Sequence, residues 1–206
     1  MKALGKLFGS PVLVRAIRLF VFNPDEMFEN KDVAKRVRTT PERAREEISI
    51  LVSAGVVKRV SFYKEVTKKV RGKTVTRKRK VRGVTLDRRF RYLDPLQIFL
   101  LNTAPLKRND IAKKLGKIGK LDLVVTAGVF IQNGDSRVDM LIVGDRIKRP
   151  VLESAIRDME SELGKELSYA AFSTTDFRYR LAVYDKLIRD ILDYPHQTVV
   201  DRLGIT

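Results

Sequence analysis

The chain begins with hydrophobic positions spaced three and four residues apart, which is the spacing of amphipathic helices. Ser10 and Pro11 supply an N-cap and a first-turn proline for a helix that Asn23-Pro24 ends. A short helix is expected from Asn30 onward. Thr39-Thr40-Pro41 repeats the start signal and predicts a third helix.

After Gly55 the pattern becomes extended. Residues 56–66 (VVKRVSFYKEV) predict a strand, Arg71-Gly72-Lys73 a turn, and residues 74–86 a second strand. The few valines of the second strand lie widely spaced among cations, so we expect a hairpin solvated on both faces. Three helices followed by such a hairpin are the order of a winged helix-turn-helix.

The second half of the chain reads β-β-α-β-α. Buried-strand patterns cover residues 121–131 and 137–143, an amphipathic helix covers 151–163, and a third strand covers 166–172. One long helix is then expected, from Thr174 or Thr175 to Ile191. The predicted class is α+β, with a winged helix-turn-helix domain over residues 1–94 and a small α/β domain over residues 95–206.

Composition limits the chemistry. The 206 residues suffice for one large or two small domains, and 44% of them are hydrophobic, enough for buried cores. No run of 18 apolar residues and no signal-peptide pattern is present, so a cytoplasmic protein without a membrane partner is expected. With no cysteine and one histidine, His196, we expect no disulfide, metal or cofactor.

Positive charge is concentrated in one segment. The formal net charge is +17, and residues 58–91 hold fifteen Lys and Arg against two acids, a net +13. The other 172 residues share the remaining +4. A local excess of this size predicts a polyanionic partner, and beside a helix-turn-helix it predicts double-stranded DNA.

The third helix of a helix-turn-helix enters the major groove, where its N-terminal residues reach base edges. The candidate base-reading residues are therefore Thr39, Thr40, Glu42, Arg43, Arg45 and Glu46, and the candidate phosphate-binding residues beside them are Lys35, Arg36 and Arg38. The alternative is a solvated helix face whose Arg and Glu side chains pair with each other at three- and four-residue spacing.

The cations of the hairpin are too dense and too alike to read bases, and we expect them to bind phosphates. They are Arg71, Lys73, Arg77, Lys78, Arg79 and Lys80. The alternative is a charged hairpin that only keeps the protein soluble.

The segment TAGVFIQNGDSRVDMLIVGD resembles the core of the minimal nucleotidyltransferase domains of the DNA polymerase beta superfamily. In that family a Gly-Ser pair ends one strand, and a Ser-Asp-x-Asp motif on the next strand binds two metal ions for phosphoryl transfer. Gly128, Ser136 and Asp139 match the motif, whereas Val129 replaces its serine and Arg137 its first aspartate.

The resemblance therefore implies a degenerate, non-catalytic domain in which Gly128, Ser136 and Asp139 form a residual nucleotide site. The next strand offers Glu166 only at its start, where the third carboxylate of the family should come from its centre. The alternative is that Asp139 is an ordinary strand carboxylate or has only a structural role.

The segment STTDFRYRLAVYDKLIRDIL resembles the end of such domains, and of proteins in which an ArsR-like winged helix precedes one and which regulate transcription. A transcriptional regulator is thus expected, whose second domain dimerises or senses a small-molecule or nucleotide effector. Phe99, Leu100 and Leu101, with the long C-terminal helix, are the candidate homodimer surface. An active, antitoxin-like nucleotidyltransferase targeted to nucleic acid and an RNA-binding protein remain as alternatives.

Overall fold

A computed structural model describes residues 2–70, 73–103, 106–133 and 136–205. Its class is α+β, as the sequence predicts. The chain divides into two compact units. The first comprises Met1–Pro105 and Ser161–Lys165, and the second Leu106–Glu160 and Glu166–Thr206. The sequence predicts a boundary between Asp94 and Lys107, and the first unit gives way to the second within that interval, after Pro105 rather than at Asp94.

The helices of the first unit are α1 (Lys2–Leu7), α2 (Pro11–Phe22), α3 (Asn30–Arg36), α4 (Pro41–Ser53) and α5 (Leu93–Asn102). Helices α2 and α4 begin at the predicted caps. The Ser10 hydroxyl oxygen accepts hydrogen bonds from the backbone N–H groups of Val12 (3.1 Å) and Leu13 (3.3 Å) at the start of α2. Helix α1 was not predicted, and α3 has Glu29 rather than Asn30 at its N-cap position.

The core of the first unit joins α2, α4 and α5 to the hairpin. Phe20 of α2 is fully buried, and Ile48 of α4 and Val84 of the hairpin belong to the same cluster. Leu100 of α5 is also in this core, with 1% of its surface exposed. The prediction that Leu100 lies on a dimer surface is therefore wrong, because its side chain is buried in the core of the first unit.

The hairpin is a long antiparallel ribbon with a buried root. Strands β1 (Val57–Val70) and β2 (Lys73–Leu86) pair without a register shift from Val57 opposite Leu86 to Val70 opposite Lys73. Phe28 adds a bridge at the root, where its N–H and C=O each bond Val84 at 2.9 Å. Val81 and Val84 are 6% and 0% exposed, so the expectation that both faces are solvated fails near the root. It holds farther along the ribbon, where residues 76–80 are exposed.

The second unit is built on a four-stranded sheet in the order β5-β4-β3-β6. Strand β3 pairs antiparallel with β4 and β6, and β4 pairs parallel with β5. The elements are α6 (Arg108–Leu115), β3 (Lys120–Thr126), a 3₁₀ turn (Gly128–Ile131), β4 (Met140–Asp145), α7 (Arg149–Leu163), β5 (Tyr169–Phe172), α8 (Thr174–Ala182), α9 (Lys186–Leu192) and β6 (Gln197–Asp201).

Three predictions about the second unit are wrong in detail. The strand expected over residues 121–131 stops at Thr126, because the chain turns into the 3₁₀ segment at Gly128. The single long C-terminal helix is two helices, broken at Tyr184, whose φ is +57°, and restarted by the Asp185 side chain at the N-cap of α9. Strand β6 was missed altogether.

Among the described residues, no helix has both the length and the apolar character needed to cross a bilayer.

Gly83 is where the ribbon approaches the Phe28 bridge most closely. A Cβ at this position would lie 2.2 Å from the Phe28 carbonyl oxygen and 2.8 Å from the Phe62 ring. We expect Gly83→Ala to lower the unfolding free energy of the first unit by about 1–3 kcal/mol, because backbone must move to admit the methyl group. Gly116→Ala is the control, since its backbone is right-handed helical and the nearest atom would be 3.3 Å away. Equal losses in chemical denaturation would contradict the prediction.

Candidate nucleic-acid interface

Helices α3 and α4 are joined by a turn that leaves the N-terminus of α4 at the surface. Arg38 adopts a left-handed backbone in this turn, with φ at +52°, and its side chain is exposed. Thr40 caps α4 by accepting a hydrogen bond from the Arg43 N–H at 3.2 Å. The Thr39 side chain is half-buried. The hydroxyl of Thr40 is thus occupied as an acceptor but retains a proton to donate.

Arg43 is held by two glutamates of its own helix. Its guanidinium lies 2.8 Å from a Glu46 carboxylate oxygen and 2.9 Å from a Glu47 oxygen. Glu47 is 1% exposed, whereas the Glu46 side chain is 61% exposed. For Arg43 the structure therefore shows the intrahelical pairing that was the alternative to base reading.

Arg45 differs from Arg43. Its side chain is exposed, and it takes part in no ion pair within the described part of the chain. Of the two arginines at this end of α4, Arg45 is thus the one whose five donors remain available to a ligand.

The regular register of the ribbon sorts its side chains onto two faces, since successive residues of a strand point to opposite sides. We define the outer face by Ser61, Tyr63, Glu65 and Thr67 of β1 and their partners Arg82, Lys80, Lys78 and Thr76 of β2. The inner face carries Phe62, Lys64 and Val66 opposite Val81, Arg79 and Arg77.

The inner face is tied to the start of α3. The Lys64 ammonium donates to an Asp32 carboxylate oxygen at 2.5 Å and lies 3.3 Å from a Glu29 oxygen. Arg79 reaches the other Glu29 oxygen at 3.9 Å. The hydrogen bond to Asp32 raises the pKa of Lys64 above its ordinary value, with Glu29 adding to the effect. We name Glu29, Asp32, Lys64 and Arg79 the ribbon–α3 cluster.

The predicted phosphate-binding residues are therefore not one group. Lys78 and Lys80 lie on the outer face, whereas Arg77 and Arg79 lie on the inner face. All four are exposed, but only Arg79 lies within ion-pair distance of an acid among the described residues. Arg71 and the side chain of Lys73 lie outside the described part of the structure.

Sequence reasoning missed Lys64, Arg82 and the acids Glu29 and Asp32. The alternation of side chains along the paired strands could have assigned Lys64 and Arg82 to opposite faces. No local signal could have brought Glu29 and Asp32 to Lys64, which follows Asp32 by 32 positions.

In the second unit, Gly128, Ser136 and Asp139 lie close together. The Gly128 N–H donates to the Ser136 hydroxyl oxygen at 3.1 Å. A Cβ on Gly128 would lie 2.1 Å from an Asp139 carboxylate oxygen, so only glycine allows this approach at the observed φ of +51°.

Both carboxylate oxygens of Asp139 accept hydrogen bonds from the backbone. One accepts from the N–H of Val129 at 2.8 Å, and the other from the N–H of Ser168 at 2.9 Å. Asp139 is 9% exposed. It therefore fastens the 3₁₀ turn after β3 to the segment that leads into β5.

Two further charged side chains of the second unit are engaged by other groups. Arg137, two residues before Asp139, bonds Asp190 of α9 at 2.6 Å. Asp122, which is buried on β3, accepts a hydrogen bond from the Thr174 hydroxyl at 2.7 Å. Over the residues that the structure describes, no three His, Cys, Asp or Glu side chains are grouped to hold a metal ion.

A cleft of about 490 Å³ opens beside the carboxyl ends of the parallel strands β4 and β5. Its walls include Leu152, Ile147 and the exposed ring of Tyr169, and Arg146, Arg149 and Glu153 stand at its rim. Glu153 is 3.7 Å from Arg157, whereas neither Arg146 nor Arg149 has an ion-pair partner among the described residues. The volume is in the range of small-molecule sites.

No protein-family model, curated protein or solved structure matches this chain.

The contacts of Asp139 predict that replacing its carboxylate with an amide destabilises the second unit. Asparagine has one acceptor oxygen in place of two, so in Asp139→Asn the N–H of Val129 or of Ser168 loses its partner. We expect the unfolding free energy of the second unit to fall by about 1–3 kcal/mol in urea denaturation. Glu153→Gln, which removes a charge from a half-exposed pair, is expected to change it by less than about 0.5 kcal/mol. An unaffected Asp139→Asn variant would refute the structural role.

Proposed function

We propose that this protein binds double-stranded DNA and regulates transcription, with α4 in the major groove and the ribbon on the phosphate backbone. The observation that carries the proposal is the ribbon itself. Its two strands pair over fourteen positions, so its cations extend well away from the root, and residues 76–80 are exposed. A solvated, cationic ribbon next to a capped helix pair is the arrangement of a winged helix-turn-helix.

Within this proposal α4 reads bases chiefly through Arg45. Its exposed guanidinium can bond O6 and N7 of a guanine at once. Arg43 reaches DNA only by exchanging its bonds to Glu46 and Glu47 for a base or phosphate. Thr39, Thr40 and Arg38 lie in the turn beside it, where side chains meet the sugar-phosphate backbone.

The second unit is proposed to be a degenerate nucleotidyltransferase-like domain without transferase activity. Support comes from Asp139, whose two oxygens are bonded to backbone N–H groups, and from Arg137, which brings a cation where the family has an aspartate. Phosphoryl transfer by two metal ions requires carboxylates free to bind them. A nucleotide at Gly128 and Ser136 would have to enter without such metal ions.

The cleft between β5 and α7 is our proposed effector site. Two arginines with no acidic partner favour an anionic group, and the apolar wall beside Tyr169 favours a flat ring. An effector bound there would act in a homodimer, to which the exposed side chains of Ile98, Phe99 and Leu101 offer an apolar surface. A two-fold dimer would place two α4 helices on successive turns of a pseudo-palindromic site.

Salt dependence separates the roles of the ribbon and α4. In Lys78→Gln/Lys80→Gln, we expect the slope of log K against log salt to decrease in magnitude by about 2 for every duplex tested, because two phosphate contacts are lost. In Arg45→Ala, selection from random duplex DNA should instead lose preference at one base position, by about 1–3 kcal/mol.

Lys113→Gln/Lys117→Gln removes the same charge from exposed lysines of the second unit, and its slope should equal that of the wild type. A wild-type protein that binds duplex DNA with no selected motif would refute base reading. One that prefers structured RNA in competition at physiological salt would favour the RNA-binding alternative.

The effector site can be probed with phenyl phosphate, using phenol and inorganic phosphate as its two halves. We expect phenyl phosphate to bind more tightly than either half, and Arg146→Gln/Arg149→Gln to weaken it by about tenfold or more in calorimetric titration. Lys148→Gln, an exposed cation that does not line the cleft, should bind normally. If the wild type and both variants bound phenyl phosphate equally well, its phosphate group would not bind at Arg146 and Arg149.

A further inference from the structure

We infer that the ribbon meets DNA through its outer face, and that the ribbon–α3 cluster orients it for this by fixing its inner face to α3. The inference rests on the proposed DNA binding. According to this inference, Glu29 and Asp32 strengthen the binding of DNA, although both are acids and DNA is a polyanion.

The first step is the difference between the two faces at the same height along the ribbon. Lys64 and Arg79 are cross-strand partners on the inner face, and both lie beside acids of the α3 start. Lys80 and Tyr63, the next pair toward the root, point to the opposite side. Positive charge on the inner face is thereby partly neutralised, and that of the outer face is not.

The second step is the state of the outer cations. Lys78, Lys80 and Arg82 are exposed and form no ion pair within the described residues. Glu65 is the one acid of this face as defined above, and it stands opposite Lys78. Arg77 likewise has no ion-pair partner among the described residues, but it lies on the inner face, two pairs beyond the cluster toward the turn. The outer face thus offers a row of three cations to a phosphate backbone.

The third step is the mechanical link to α4. Asp32 lies in the first turn of α3, and α3 shares its core with α4 through Val33 and Ile48. A ribbon bonded to Asp32 and Glu29 is therefore positioned against the same body that presents α4. Without those bonds, the ribbon beyond its buried root would lose its ion pairs to the start of α3.

The cluster is suited to a permanent role. Side-chain exposure is 12% for Glu29 and 36% for Lys64, so solvent screens their attraction only in part. The raised pKa of Lys64 means that its stabilising contribution is complete below the ordinary lysine value of 10.5 and is lost only as the pH rises through the raised value. At neutral pH the bonds persist.

Two single-charge changes with opposite expected signs test the inference. Neutralising an acid near DNA removes repulsion, so Glu65→Gln should tighten binding to a 20-base-pair duplex. Asp32→Asn removes the same charge but also the main partner of Lys64. We expect it to weaken binding about twofold to fivefold, the range set by losing one partly exposed ion pair. Affinities are measured by fluorescence anisotropy at fixed salt, beside the thermal midpoint of each variant.

Tighter binding by both variants would overturn the positioning role while leaving DNA binding intact. A second comparison avoids dependence on folding. Lys80→Gln and Arg79→Gln remove adjacent charges of the same strand, and we expect only Lys80→Gln to lower the salt slope by about 1. Equal decreases would refute the one-sided contact. A wild type that fails to bind any duplex would instead refute the proposed function itself.

Discussion

Repulsion among like charges is the constraint on which the first unit depends. A net +13 within residues 58–91 opposes any compact arrangement of that segment. The ribbon relieves the repulsion by spreading its cations along two extended strands and over two faces. At its root the ribbon is held by uncharged contacts, since Val84 is buried and bridged to Phe28. Farther along, it is held by ion pairs of Lys64 with Glu29 and Asp32. Hydrophobic burial anchors the ribbon, and ion pairing orients it.

The two units use carboxylates in a similar structural way. Asp32 holds a cation of another element, and Asp139 holds two backbone N–H groups that are distant in sequence. In each case the acid sits at the start of an element and joins it to a neighbour. Gly128 approaches Asp139 closely, and both carboxylate oxygens of Asp139 accept backbone hydrogen bonds that stabilise the fold.

Sequence patterns predicted the elements whose signals are local. Ser10 and Thr40 act as caps because a hydroxyl satisfies N–H groups two or three residues away, and the two strands of the ribbon pair where extended patterns predicted them. The signals failed where two local signals compete or where contacts between distant segments decide. Apolar spacing continued across Tyr184, yet the chain breaks there because Asp185 caps a new helix. The basic run looked uniform, although strand geometry divides it and acids from α3 neutralise one side.

Coupling between the ribbon and α3 has a consequence for recognition. If the ribbon were an independent charged arm, its contribution to affinity would add to that of α4 without affecting which bases α4 reads. Under the proposed DNA binding, an arm held by Asp32 and Glu29 would instead fix the distance between its phosphate contacts and the α4 start. Those contacts would then set the register of α4 on the duplex, as backbone contacts do in DNA-binding proteins generally. On this view loosening the cluster lowers specificity as well as affinity, because α4 samples more than one register, whereas removing outer-face charge lowers affinity alone.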